Sequence, residues 1–167
     1  ETIIEKIADA LLPIESAGEF RAVCFRSQND GAEHLALVRG NVDQGGTTGA
    51  EAVLVRVQAE NRLSDLLGTD GIASRHRIDQ ALKLIAESGR GVLVYVRHPR
   101  QGLLRAQLAQ QAVGGGAVED LTTVLTSRVR EIGIGSQILT ALGIRRINLL
   151  TNSAWHAGSI AAFRLEV

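Results

Sequence analysis

The 167-residue chain carries 18 Lys+Arg against 18 Asp+Glu, a formal net charge of zero. That length suits one domain with a real core, and the balanced charge lacks the long-range attraction on which nucleic-acid and anionic-membrane binders rely. One cysteine, Cys24, excludes an internal disulfide and any Cys-rich zinc site. No apolar run approaches about 20 residues, and no secretory signal is present, so a reducing cytoplasm is the expected location. The chain starts at Glu1 and contains no Met, which points to a processed chain or to part of something longer.

Residues 1–12 read as an amphipathic helix, with Ile3, Ile4, Ile7, Ala8 and Leu11 on one face. Pro13 ends it by removing a backbone donor, so residues 1–16 are expected to be a linker or docking helix ahead of a domain spanning 17–167. Residues 19–39 alternate apolar and polar around the turn Gln28-Asn-Asp-Gly31, which predicts a β-hairpin. Gly40 to Gly49 is a polar, Gly-rich loop, and Ala52 to Val57 a third strand. Gln58 to Arg75 has no clean period and reads as a long loop, a type that often carries function.

A helix is predicted from His76 to Ser88, capped by Gly89 in a left-handed conformation. The nearly continuous apolar run Gly91–Val96 predicts a strand buried on both faces. Gln101 to Gln111 reads as helix, Gly114–Gly116 as a break, and residues 117–124 are ambiguous. Arg130 to Leu142 is a helix capped by Gly143, and Arg146 to Thr151 the matching buried strand. The order predicts an α+β, or mixed α/β, domain: an N-terminal β-hairpin, then helix–strand units around one sheet.

Three passages together resemble the GTP cyclohydrolase II family of riboflavin biosynthesis. They are Gly18–Val23 with Glu33–Val38; Val53–Val57 with Ile78–Leu82 and Gly89–Val92; and Gly133–Leu139 with Leu149–Asn152 and Leu165–Val167. The resemblance implies a homodimer and, upstream in many members, a dihydroxybutanone phosphate synthase domain. It also implies a zinc ion held by three thiolates, which activates water for attack on the guanine ring. In this chain those three positions fall on Asn61, Ile72 and Ser74, so the expected zinc has lost its ligands and no cofactor is expected. Cys24 lies on the hairpin, where filling core space is the expectation. Glu60, Asp65, Asp70 and His76 leave open a rebuilt carboxylate/His site for Zn²⁺ or Mn²⁺, or a plain solvated loop.

Other family positions have changed too. The signature after the buried strand is replaced by Arg97-His-Pro-Arg-Gln-Gly102, with Pro99 where the resemblance places the guanine-reading acid. The acid–arginine pair before Gly133 falls on Arg128 and Arg130: the arginine, the one catalytic candidate, stays, and the acid is lost. His156 stands for the phosphate-binding lysine. Arg56, Glu60, Arg97, Thr151 and Asn152 match retained positions, with substrate or phosphate binding as the implied role. For Arg56 a cross-sheet ion pair, and for Asn152 a helix cap, are the structural alternatives.

Gly133-Ile-Gly135 lacks the third glycine of a dinucleotide fingerprint, so helix packing is the expectation there. No P-loop or hydrolase elbow is present, and Trp155 reads as either an interface anchor or a core residue. Two functions compete: a catalytically degenerate member that keeps the scaffold and some phosphate-binding residues, or an altered enzyme acting on another purine nucleotide or flavin-pathway phosphate. A divergent but active cyclohydrolase is the third reading.

Overall fold

A computed structural model describes residues 3–46, 50–67, 74–98, 103–112, 121–151 and 165–166. Six strands form one sheet in the order β1-β2-β3-β5-β4-β6. They are β1 (Ile4–Ile14), β2 (Gly18–Ser27), β3 (Glu33–Arg39), β4 (Val53–Ala59), β5 (Gly91–Val96) and β6 (Ile147–Leu149). The pairs β1–β2, β2–β3 and β3–β5 are antiparallel, whereas β5, β4 and β6 are mutually parallel. Four helices accompany them: α1 (Arg62–Leu67), α2 (Ser74–Ser88), α3 (Leu103–Ala112) and α4 (Leu121–Ala141). This is the mixed α/β architecture that the hairpin and the helix–strand units predict. No described helix is long and apolar enough to cross a membrane.

Alternation along β5 divides the interior. Val92, Val94 and Val96 face one side, where they pack with Val23, Ala36, Val53 and Val55 against Ile134, Ile138 and Leu139 of α4. Leu93 and Tyr95 face the other, where Leu93 joins Phe20 and Leu37 under Ala81, Leu82 and Ile85 of α2. A strand clothed by a helix on each face must be apolar throughout, which is why β5 reads as an unbroken run. Gly135 lets α4 lie close to the sheet, since a Cβ there would sit 3.2 Å from Val57 Cγ1. The Gly133-Ile-Gly135 sequence is therefore a packing feature, as expected.

The end of α4 is chemically determined. Gly143 has φ +81°, its N–H bonds Thr140 O at 3.0 Å, and Ile144 N bonds Leu139 O at 3.0 Å. This double closure satisfies the carbonyls that a helix end leaves orphaned. Gly89 plays the same part after α2, with φ +75°.

Five expectations are corrected. Residues 4–14 are an edge strand rather than a linker or docking helix, paired to β2 from Ile4↔Ser27 to Ile14↔Gly18. The helical spacing of Ile3, Ile7 and Leu11 is overridden by backbone pairing to β2, and along β1 only Ile4 is buried. A bulge between Lys6 and Ala8, and Pro13 further on, blunt this edge against unwanted pairing. Second, the expected loop 58–75 contains α1 and the start of α2. Third, α4 begins at Leu121, nine residues before its apolar stripe becomes regular at Arg130. Fourth, β6 is three residues long and only Ile147 on it is buried, so it is not the fully buried strand expected. Cys24, on β2, is half-buried rather than in the core.

Candidate functional site

In an open sheet with parallel strands, ligands bind beyond the carboxyl ends of those strands. At that edge Glu60 follows β4 and is 7% exposed. Its carboxylate accepts bonds from Arg62 Nε at 3.2 Å, Arg97 Nε at 3.3 Å and the His98 backbone N–H at 3.2 Å. Burial pushes the carboxyl up, but the His98 N–H and the two guanidinium groups outweigh it and hold Glu60 below the usual carboxylate range. The backbone of Glu60 is fixed as well, its N–H donating to Val96 O at 2.8 Å.

The same face carries a second polar group. Arg56 donates from Nη2 to Gln58 Oε1 at 2.9 Å and from Nη1 to Leu150 O at 3.0 Å. Burial, and then the like charge of Arg77, lower its pKa without neutralising it. The expected alternative of a cross-sheet carboxylate partner is not what its hydrogen bonds show. Tyr95 donates its hydroxyl to Asp65 of α1, and burial with that carboxylate raises its pKa.

On the α4 face of the same edge lies a third group. Arg130 bonds Asp30 Oδ2 through Nη2 at 2.8 Å and Nε at 3.3 Å, and Arg97 O through Nη1 at 3.1 Å. The carboxylate partner of Arg130 thus comes from the β2–β3 turn. His34 of β3, 1% exposed, accepts the Arg97 N–H on Nδ1 at 3.0 Å. Its proton accordingly sits on Nε2, which meets no hydrogen-bond partner among the described residues. Burial, and then the charge of Arg130, push the imidazole down to about 4. Arg97 joins the two faces: its N–H goes to His34, its carbonyl to Arg130, its side chain to Glu60.

The structure therefore brings Arg56, Glu60, Arg97 and Arg130 to one edge, and Thr151 follows β6 at that edge. Asn152, His156, Pro99 and Trp155 lie outside the described residues. Sequence reading missed Asp30, His34, Gln58, Tyr95, His98 and Glu131. Asp30 looked like ordinary turn chemistry and His34 like one position of an alternating strand. Only the fold brings them to Arg97 and Arg130.

The zinc implied by the resemblance does not fit the residues present. Asn61 stands at the N-cap of α1, its N–H bonded to Asp65 Oδ2 at 2.8 Å and its carbonyl to Asp65 N at 2.7 Å. Ser74 opens α2, and Ile72 lies outside the described residues. Neither an amide nor a hydroxyl matches an anionic thiolate as a zinc ligand. Cys24 stands three strands from β4, about 14 Å at the usual strand spacing. Of the alternative carboxylate/His set, Glu60 is taken by arginines, Asp65 by Tyr95 and Asn61, and His76 is exposed. Asp70 lies outside the described residues. Among the described residues no group of three or more His, Cys, Asp or Glu converges on a common point.

Known proteins place the chain. Residues 5–167 match the family model described as GTP cyclohydrolase II. The chain is 38% identical over 159 residues to a probable monofunctional riboflavin biosynthesis protein, chloroplastic, of Oryza sativa subsp. japonica, covering 92% of this chain and 28% of that protein. It is equally similar to the riboflavin biosynthesis protein RibBA of Mycobacterium tuberculosis, of which it covers 37%. RibBX, a two domain 3,4-dihydroxy-2-butanone 4-phosphate synthase from A. baumannii, shares the fold with a TM-score of 0.56 at 22% identity, over 92% of this chain and 35% of that one. The chain thus spans between about a quarter and two-fifths of the length of these relatives. By its full-length family match and its similarity to these riboflavin biosynthesis proteins, the chain belongs to the GTP cyclohydrolase II family.

Proposed function

We propose that this chain is a GTP cyclohydrolase II-like domain of riboflavin biosynthesis that keeps the family's scaffold and anion-attracting edge but not zinc-dependent opening of GTP. One observation carries the reading. The edge that should present a metal to substrate instead presents Glu60 neutralised by Arg62 and Arg97, with no thiolate within reach. Guanidinium groups attract phosphate and hold it through fixed forks of donors. They have no open coordination position at which water could be activated. A purine nucleotide or a flavin-pathway phosphate is the ligand class that the retained Arg56, Arg97, Arg130 and Thr151 suit. The domain would act as a structural or regulatory companion to a dihydroxybutanone phosphate synthase domain, a reading supported by its likeness to RibBX, a two domain 3,4-dihydroxy-2-butanone 4-phosphate synthase. The family's homodimer belongs to the same proposal.

Elemental analysis combined with GTP turnover tests it. The expected result is no stoichiometric zinc and no formate released from GTP. One zinc per chain together with turnover overturns the proposal. The retained ligand edge is tested apart from the chemistry. GTP at millimolar concentration should raise the thermal midpoint, because a ligand that binds only the native state stabilises it.

A further inference from the structure

One pair of titratable groups at this edge takes no part in holding Glu60 or Arg130 through its side chains. His98 follows Arg97 after β5, and its Nε2 lies 3.8 Å from Oε1 of Glu131 on α4. Both side chains are mostly buried, with 19% and 16% exposed. The separation exceeds a hydrogen bond, as acid–base contacts commonly do before a ligand closes the site.

Both partners are held from behind. The His98 N–H donates to Glu60 Oε2 at 3.2 Å, and Ser127 Oγ donates to Glu131 Oε1 at 3.3 Å. Burial pushes the Glu131 carboxyl above the usual range, against the pull of Ser127, Arg128 and Arg130. A mostly buried carboxyl beside an imidazole can share one proton with it. Among the described residues, the charged groups around the pair are Asp30 from the β2–β3 turn, His34 from β3, Glu60 after β4, Arg97 after β5, and Arg128 and Arg130 from α4. Asp30 pairs with Arg130, and Glu60 is shared between Arg97 and Arg62. His34 is neutral above about pH 4.

We propose that His98 and Glu131 form a proton-transfer pair for a phosphorylated, nucleotide-like ligand at the carboxyl edge of the sheet. His98 exchanges the proton with the ligand, and Glu131 is the positioning residue that orients and charges the imidazole. The inference rests on the proposed anion binding at that edge, and it adds a site that the family resemblance does not assign.

The test is a pH titration of the imidazole resonances by NMR, on the full chain with labelled histidine, using GTP and inorganic pyrophosphate as probes. Removing a nearby negative charge lowers an imidazole pKa, so Glu131→Gln should lower that of His98 by about one unit. A bound phosphate should raise it in the wild type by a similar amount, about one unit. Glu131→Asp, which keeps the charge on a shorter arm, should fall between the two and serves if the Gln variant does not fold. Identical His98 titrations in wild type and the Glu131 variants overturn the pair. Probe binding, seen as a raised thermal midpoint, with no response at His98 overturns this inference alone. Failure of both probes to bind overturns it together with the ligand reading.

Discussion

Glu60→Gln removes the charge on which the candidate site is organised. The carboxylate accepts three bonds, two from guanidinium groups and one from the His98 backbone. Hydrogen bonds to a charged group contribute about 1.5–3 kcal/mol each when well shielded. Here Arg62 and Arg97 are 39% and 43% exposed, so solvent screens their share, and the amide oxygen of Gln still accepts one bond. The expected net loss is about 2 kcal/mol at pH 7, or roughly 4–8 °C in Tm for a chain of this size. The pH dependence provides the sharper check. Glu60 is held below its ordinary value of 4.5, so its contribution is complete above 4.5 and disappears as pH falls through the lower folded value. Urea unfolding of wild type and variant at pH 7, and at steps below pH 4.5, should show the gap closing on acidification, while contributions from the other carboxylates cancel in the difference. A gap that stays constant with pH, or that never exceeds about 0.5 kcal/mol, refutes the electrostatic account of the site.

Gly135→Ala places a methyl 3.2 Å from Val57 Cγ1 and should cost about 1–2 kcal/mol by forcing α4 off the sheet; Val57→Ala in the same chain should restore part of the loss, and denaturant midpoints read both. Ile138→Ala opens a cavity at a fully buried position of α4 and should lower stability by about 2–5 kcal/mol, measured by chemical unfolding. His34 should remain neutral, with a bare Nδ1, down to about pH 4, which nitrogen chemical shifts report directly. Its folded value is depressed from 6.5, so its contribution is present above 6.5 and lost as pH falls toward 4; a folded imidazole titrating near 6.5 would contradict the buried assignment.

The core was legible wherever period and burial agree. Val92 and Val94 sit on one face of β5 and Leu93 on the other, and a strand covered on both faces can only read as a continuous apolar run. Gly89 and Gly143 marked helix ends because a left-handed residue is needed there. The first strand was not legible. Its apolar residues fall at helical spacing, yet its stability comes from backbone bonds to β2, and a pattern of side chains does not record those. The resemblance marks Arg56, Glu60, Arg97 and Arg130 as candidates, but the pairing among them, and Asp30 as the partner of Arg130, were not legible in sequence. Asp30 is a hundred residues from Arg130 in sequence, and Glu60 is 37 from Arg97. Contacts of that range depend on strand order, which puts β3 beside β5 and β5 beside β4.

The distribution of charge at the edge bears on the proposed function. Zinc hydrolysis requires a cation with an open coordination position, held by anionic donors. This chain supplies cations of a different type, guanidinium groups: Arg130 pairs with Asp30, Arg62 and Arg97 share Glu60, and Arg56 bonds only the neutral oxygens of Gln58 and Leu150. Two carboxylates against four guanidinium groups leave the half-buried edge with an excess of positive charge, which favours an anion there. A phosphate entering such an edge would compete with Asp30 and Glu60 for the same forks of donors. Ligand binding and the Glu60 clamp are therefore coupled with opposite sign: weakening the clamp by Glu60→Gln should destabilise the fold while freeing Arg97 for an anion. If the variant loses stability yet binds pyrophosphate more tightly than wild type, the clamp and the ligand share one guanidinium. If it loses both, Glu60 organises the edge for binding, and the arginines do not act as competing partners.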